Sequence, residues 1–350
     1  MSCELGHIFA APALNAIARH TDVEASIREL MAASATRLLD SMMIVADSCA
    51  PFVAVEQSHV KLPVAQPPVL HGVRALVEEI AVDGFGPHAM RFFGMLGSIM
   101  VSLAGTAVQV AQVMSWVDAG LTGTFCMTDR GGPLASQWRS CATTGSPVKL
   151  TVDKVWAMNA SRADFALIVV RRGNSMILAP VLLAPDVYAQ AATQPSGAAF
   201  LDGHLPLANV QAMLEAEPSW FLNEGGPISP KIFLTLARPW LVQALCSHLA
   251  WLARHNRIVL NAEMGERVAF LRQAAQNQAN LGVFDRFSED QAMALKWIAN
   301  EIFAELVVSG AVRHKGDQRD LLGFSKMEGS SYRCFFEIYE RNKKLRRVDG

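Results

Sequence analysis

Hydrophobic periodicity changes twice along this chain, and few folds accommodate both changes. Up to about residue 120 apolar residues recur at helical spacing, as in Val73, Leu76, Val77 and Ile80. Thr21-Asp22-Val23-Glu24 has the form of a capping box ahead of Ile27, Leu30, Met31 and Leu38. From Leu121 the period falls to two. Val148, Leu150 and Val152 alternate with Lys149, Thr151 and Asp153, which predicts a strand with the first set on a core and the second towards water. "ADFALIVVRR" and "SMILAPVLLAP" follow as short apolar runs, with Gly173-Asn174 in the turn between them. Helical spacing returns after about residue 225. Ser229-Pro230 supplies an N-cap and a proline at the first helical position, and the pattern continues from Leu260 to Asn280. Ser288 with Gln291 predicts a further capping box before Leu295, Ile298, Ala299, Ile302 and Leu306. The expectation is an α+β chain with an N-terminal helical domain (1–120), a middle antiparallel β domain (121–225) and a C-terminal antiparallel helix bundle (226–350).

Charge narrows the partners. Lys and Arg number 31 against 32 Asp and Glu in 350 residues, so no global basic field draws the chain to nucleic acid or an anionic membrane. Cys3, Cys49, Cys126, Cys141, Cys246 and Cys334 are scattered, with neither C-x-x-C spacing nor a histidine cluster, which argues against a metal site or a disulfide framework and fits a reducing, cytoplasmic setting. The opening MSCELGHIFAAPALN lacks the basic start of a secretory signal. The uncharged run from Phe92 to Val117 is long enough to be weighed as a membrane span. Its glutamines, glycines and hydroxyl residues favour a buried helix instead.

Three local patterns then stand in a fixed order. They are "FCMTDRGGP" (Phe125 to Pro133), "VKLTVDKVWAMNASRADFALIVVR" (Val148 to Arg171), and Arg319-Asp320 ahead of Glu328-Gly329-Ser330. Each resembles a motif of the acyl-CoA dehydrogenase family, and Arg238-Pro239 is a fourth, weaker match. The resemblance implies an FAD-dependent enzyme that removes two hydrogens from the α and β carbons of an acyl thioester. By the same resemblance Glu328 is the base that takes the α-proton, and its backbone N–H helps to polarise the thioester carbonyl. Phe125, Met127, Thr128, Trp156, Ala157, Met158 and Ser330 fall at cofactor-contacting positions, with Thr128 and Trp156 against the flavin ring; Gly329 and Arg130 fall at substrate-facing ones. Gly329 lets the backbone approach flavin and substrate closely. The implied partners are acyl-CoA or an acyl carrier protein as substrate carrier and an electron-transferring flavoprotein or oxygen as acceptor, and the implied assembly is a homodimer or homotetramer.

Competing readings stay open. Glu340, in "EIYERNKK", also resembles a family residue, but the Arg-Asp interval does not fit it. The five cations between Arg341 and Gly350 read as a solvated helix end, or as a contact for CoA phosphates or an acidic carrier. The chain departs from the family at Arg130, at Pro133-Leu134 and at Met158, which stands where a hydroxyl commonly meets the flavin; "RIVLNAEMGER" replaces an arginine-rich segment that grips pyrophosphate. Two alternatives stay open, a flavin-dependent oxygenase on the same scaffold in which Glu328 is not a dehydrogenating base, and an FAD-free homologue acting as a binding subunit, which these departures support.

Overall fold

The structure, a computed structural model, describes residues 62–63, 69–132, 135–145, 147–174, 177–222, 229–280, 283–284, 286–329, 331 and 333–339. The Thr21 capping box, the Ile27 to Leu38 face, Pro133-Leu134, Ser330, Glu340 and the basic tail lie outside these residues. Two compact units divide the chain. One spans Ala65–Phe233, and the other runs from Leu234 towards the C-terminus and takes in the strand Leu62–Pro63, which pairs antiparallel with Val283–Phe284.

The first unit opens with three helices, α1 (Val69–Asp83), α2 (Ala89–Ala104) and α3 (Ala107–Asp118). Val73, Leu76, Val77 and Ile80 form the buried face of α1, as their spacing predicts. The uncharged run is two helices rather than one. Gly105 leaves α2 in an extended conformation, and Thr106 then caps α3. The Thr106 hydroxyl accepts from the Gln109 N–H at 3.3 Å, and Gln109 Oε1 accepts from the Thr106 N–H at 2.8 Å. The same glutamine donates to the carbonyls of Ser219 and Phe221, which satisfies its buried amide. Among the described residues no helix is long and apolar enough to cross a membrane.

Seven strands follow, β1 (Gly123–Cys126), β2 (Cys141–Ala142), β3 (Val148–Met158), β4 (Phe165–Arg172), β5 (Leu178–Leu183), β6 (Ala192–Phe200) and β7 (Leu205–Ala216). Their order is β1-β4-β2-β3-β7-β6, with β5 on the other edge of β4. Most neighbours are antiparallel, but β1 and β2 lie parallel to successive lengths of one edge of β4. Strand β4 is therefore paired on both edges, and Phe165 to Val170 are all buried, so its residues form a continuous apolar run instead of alternating. Helix α2 reaches β1 through Gly94, where a Cβ would stand 3.2 Å from the Gly123 carbonyl oxygen. Leu150 and Val152 point inward as expected, but Asp153, expected towards water, is buried. Arg130 Nε and Gln211 Nε2 donate to its Oδ1 at 2.8 and 3.2 Å, which offsets the cost of taking a carboxylate out of water.

The second unit holds most of α4 (Ser229–Arg254), then α5 (Ala262–Asn280), α6 (Arg286–Val308) and α7 (Lys315–Phe324), with residues 333–339 helical beyond them. Helix α6 starts at Arg286, so Ser288 and Gln291 lie inside its first turns and do not precede it as the predicted cap required. Leu295, Ala299, Ile302 and Leu306 are buried. So are Gln291, Lys296, Asn300 and Glu301, which makes α6 a central helix covered nearly all round. Arg257 Nε and Nη2 donate to the two oxygens of Asp317 at 2.8 and 2.6 Å and tie the segment after α4 to the start of α7.

Candidate functional site

Six of the expected cofactor residues come together on two neighbouring segments of the first unit. Asp129 and Lys154 form an antiparallel bridge, and the Val155 N–H donates to the Thr128 carbonyl at 3.0 Å. That register sets Met127 and Thr128 beside Val155 and Trp156. The register of β3 on β7 shifts between Lys154 and Ala157, and within this irregularity Trp156 has a φ of 55° and is 65% exposed. A large indole left open on left-handed backbone is doubly unusual, since both the strain and the exposure must be maintained by the surrounding fold. Thr128 is also exposed, Met127 and Met158 are half-buried, and Ala157 is buried. The Thr124 hydroxyl donates to the Met158 carbonyl at 2.7 Å, and the Phe125 ring lies 4.5 Å from that of Phe233.

Behind this edge sits a polar cluster that the sequence did not signal. Lys154 has no exposure, and its Nζ donates to the Met127 carbonyl at 3.1 Å and to Asp129 Oδ2 at 3.3 Å while lying 3.9 Å from the centre of the Trp138 ring. Asp129 also accepts from the N–H groups of Gly131, Arg139 and Ser140. Desolvation acts to raise its pKa, but the hydrogen bonds and Lys154 outweigh it and the net shift is downward. Burial pulls Lys154 down to about 8 against the opposing effect of Asp129. Arg130, an expected substrate contact, has its Nε committed to Asp153.

The second unit presents the Glu328 turn. Helix α7 ends at Phe324, and Glu328 and Gly329 take φ values of 52° and 125°. Three donors hold the carbonyls of this segment. Arg238 Nε donates to the Glu328 carbonyl at 2.8 Å, Asn300 Nδ2 to that of Gly329 at 3.1 Å, and Lys296 Nζ to that of Phe324 at 3.0 Å. Lys296 Nζ also donates to Asn300 Oδ1. Desolvation raises the Glu328 carboxyl above the usual glutamate range, and the lowering effects of Arg238, Lys296 and Arg333 do not cancel it. The carboxyl of Glu301 on α6 is buried, and desolvation raises its pKa against the lowering effect of hydrogen bonds with Ser331 and Trp297. Arg319 and Asp320, whose spacing pointed to Glu328, pair with each other at 3.0 Å.

Lys296, Asn300 and Glu301 escaped the sequence reading because they share a helix with a convincing apolar stripe. The usable signal was a lysine between Leu295 and Trp297 in an otherwise apolar run, with an asparagine at i+4. Two outcomes test this turn. A Cβ on Gly329 would meet Cys334 Sγ at 2.7 Å at a φ that only glycine tolerates, so Gly329→Ala should lose about 2–4 kcal/mol of stability, read as a drop in melting temperature. Burial pulls the pKa of Lys296 down to about 7 from its ordinary 10.5. Between those values the unfolded chain binds the extra proton, so this group makes stability rise with pH by up to about 1.4 kcal/mol per unit. Urea titrations from pH 7 to 10 should show that share of the slope missing in Lys296→Met.

No protein-family model and no curated protein matches the chain. Solved structures do. Butyryl-CoA dehydrogenase from Megasphaera elsdenii matches with a TM-score of 0.63 at 14% identity, over 78% of this chain and 82% of that one. Nitroalkane oxidase, solved with the competitive inhibitor spermine, matches at 0.64 and 12% identity over 79% and 81%. A prolyl acyl carrier protein oxidase matches at 0.57 and 12% over 78% and 82%. The chain has the acyl-CoA dehydrogenase fold, as the sequence resemblance implies, in a divergent form.

Proposed function

We propose that the protein is a flavin-dependent oxidoreductase that introduces an α,β double bond into an acyl thioester, with Glu328 as the base. The observation that carries this reading is the Glu328 turn. A carboxylate with its affinity for protons raised by desolvation sits on left-handed backbone whose carbonyls are held by Arg238 and Asn300. In the reaction the α C–H bond breaks and its proton goes to the Glu328 carboxylate, the β C–H bond breaks with its electron pair leaving as hydride, and a carbon–carbon double bond forms. Bound FAD supplies the hydride acceptor.

The residues of the first unit fit such a ring. Trp156 offers an open aromatic face and Thr128 an exposed hydroxyl beside it, and the Lys154–Asp129 pair fixes the segment that carries both. Met158 adds an apolar wall where a hydroxyl would add a hydrogen bond. Ser330 completes the proposed cofactor set and Arg130 the substrate set. The carrier is CoA or an acyl carrier protein, and the assembly a homodimer or homotetramer. Two oxidases among the structural neighbours favour a second reading, in which oxygen reoxidises or is activated by the reduced cofactor.

The first experiment is an absorbance spectrum of the purified protein with and without FAD, followed by anaerobic titration with acyl-CoA and acyl carrier protein thioesters. Flavin bands that bleach with a thioester support the dehydrogenation, and oxygen uptake on readmitting air supports the second reading. A folded protein that stays colourless in excess FAD overturns both and leaves the binding subunit.

A further inference from the structure

We infer that Asn300, oriented by Lys296, is a positioning residue for the base turn, holding the Gly329 carbonyl so that Glu328 keeps its left-handed conformation. This rests on the proposed role of Glu328 and adds two residues of α6 to it. The geometry is directional. An asparagine side chain has one donating and one accepting end, and either could face a backbone carbonyl after a flip of the amide. As an ammonium Lys296 has only donors to offer, so Asn300 turns Oδ1 towards it, which leaves Nδ2 to donate to the Gly329 carbonyl at 3.1 Å. The opposite orientation would set two oxygens against each other.

The second acceptor of Lys296 is the Phe324 carbonyl at the end of α7, so one side chain anchors the start of the 324–329 segment and, through Asn300, its end. Arg238 holds the Glu328 carbonyl from α4. Gly329 reaches its φ of 125° without a Cβ penalty, but Glu328 at a φ of 52° does not adopt its conformation by local preference, so the turn depends on these external donors. Cys334, Arg238, Glu328 and Lys326 are the titratable groups that act on Lys296. Loss of its proton would not undo the arrangement, because a neutral amine retains two N–H groups for its two acceptors.

Asn300→Asp separates positioning from packing. It keeps the volume and gives Lys296 an acceptor, ionised beside the ammonium, while it replaces the donor to Gly329 with an oxygen that faces the same carbonyl. The variant should melt a few degrees below the wild type, the cost of about one buried hydrogen bond. Amides of residues 325–329 should exchange about tenfold faster, with mid-α4 amides unchanged, as expected for one lost hydrogen bond. In FAD-loaded protein the rate of bleaching by butyryl-CoA, or by whichever acyl-CoA bleaches the wild type, should fall about tenfold at an unchanged half-saturating concentration. Lys296→Met should reproduce the pattern. Exchange at 325–329 and bleaching both at the wild-type rate in Asn300→Asp would overturn the inference. Should that variant fail to fold, Asn300→Leu carries the same expectation without a buried charge. If no thioester bleaches the wild type, the dehydrogenase reading fails, and the exchange rates still decide the positioning role.

Discussion

Glu328→Gln should bind FAD as the wild type does and lose thioester-driven bleaching by about 10²–10⁴-fold, the range that a positioned general base contributes. Glutamine matches glutamate in size. Arg238 and Asn300 grip the backbone carbonyls of residues 328 and 329, not the carboxylate, so the substitution leaves the turn intact and removes only the proton acceptor. A large loss with unchanged melting therefore reads out chemistry. The wild-type bleaching rate should also rise with pH through a value above the ordinary glutamate pKa of about 4.3, because the base works only when ionised and desolvation raises its pKa. Bleaching by Glu328→Gln at the wild-type rate would remove Glu328 from the mechanism.

The largest stability effect is expected at Lys154. Lys154→Met should cost about 3–5 kcal/mol, because it leaves the Asp129 carboxylate buried without its charge partner and empties the contact over Trp138. For a chain of this size that is a fall in melting temperature on the order of 10 °C, measurable by calorimetry. Replacing both partners with apolar residues should not restore stability. Asp129 also accepts from the N–H groups of Gly131, Arg139 and Ser140, and an apolar residue would leave those donors unsatisfied. A double variant more stable than Lys154→Met alone would show that the carboxylate, not the lysine, is the costly member of the pair.

Much of the fold was legible because it rests on period. The α1 face, the Leu150 and Val152 side of β3 and the α6 stripe follow from spacing alone. Two boundaries were misread for local reasons. Thr106 and Gln109 carry a reciprocal cap in plain view, yet the absence of charge around them made α2 and α3 look continuous. Ser288 and Gln291 have capping-box spacing but sit inside α6, because a two-residue signature recurs by chance inside helices.

The sequence by itself determined the order of helical and strand segments, the inward apolar sets, and the local motif whose family resemblance drew attention to Glu328, since these depend on residues near each other in the chain. Only the tertiary structure decided that Asp153 is buried, that Trp156 stands open on strained backbone beside Thr128, and that Lys296, Asn300 and Arg238 hold the turn. Those facts turn on the partner a polar group finds. Arg238 lies 90 positions from Glu328, and Asn300 lies 29 from Gly329. No periodicity encodes which distant donor will meet a given carbonyl, because the cost of burying either group is removed only when the fold brings them together.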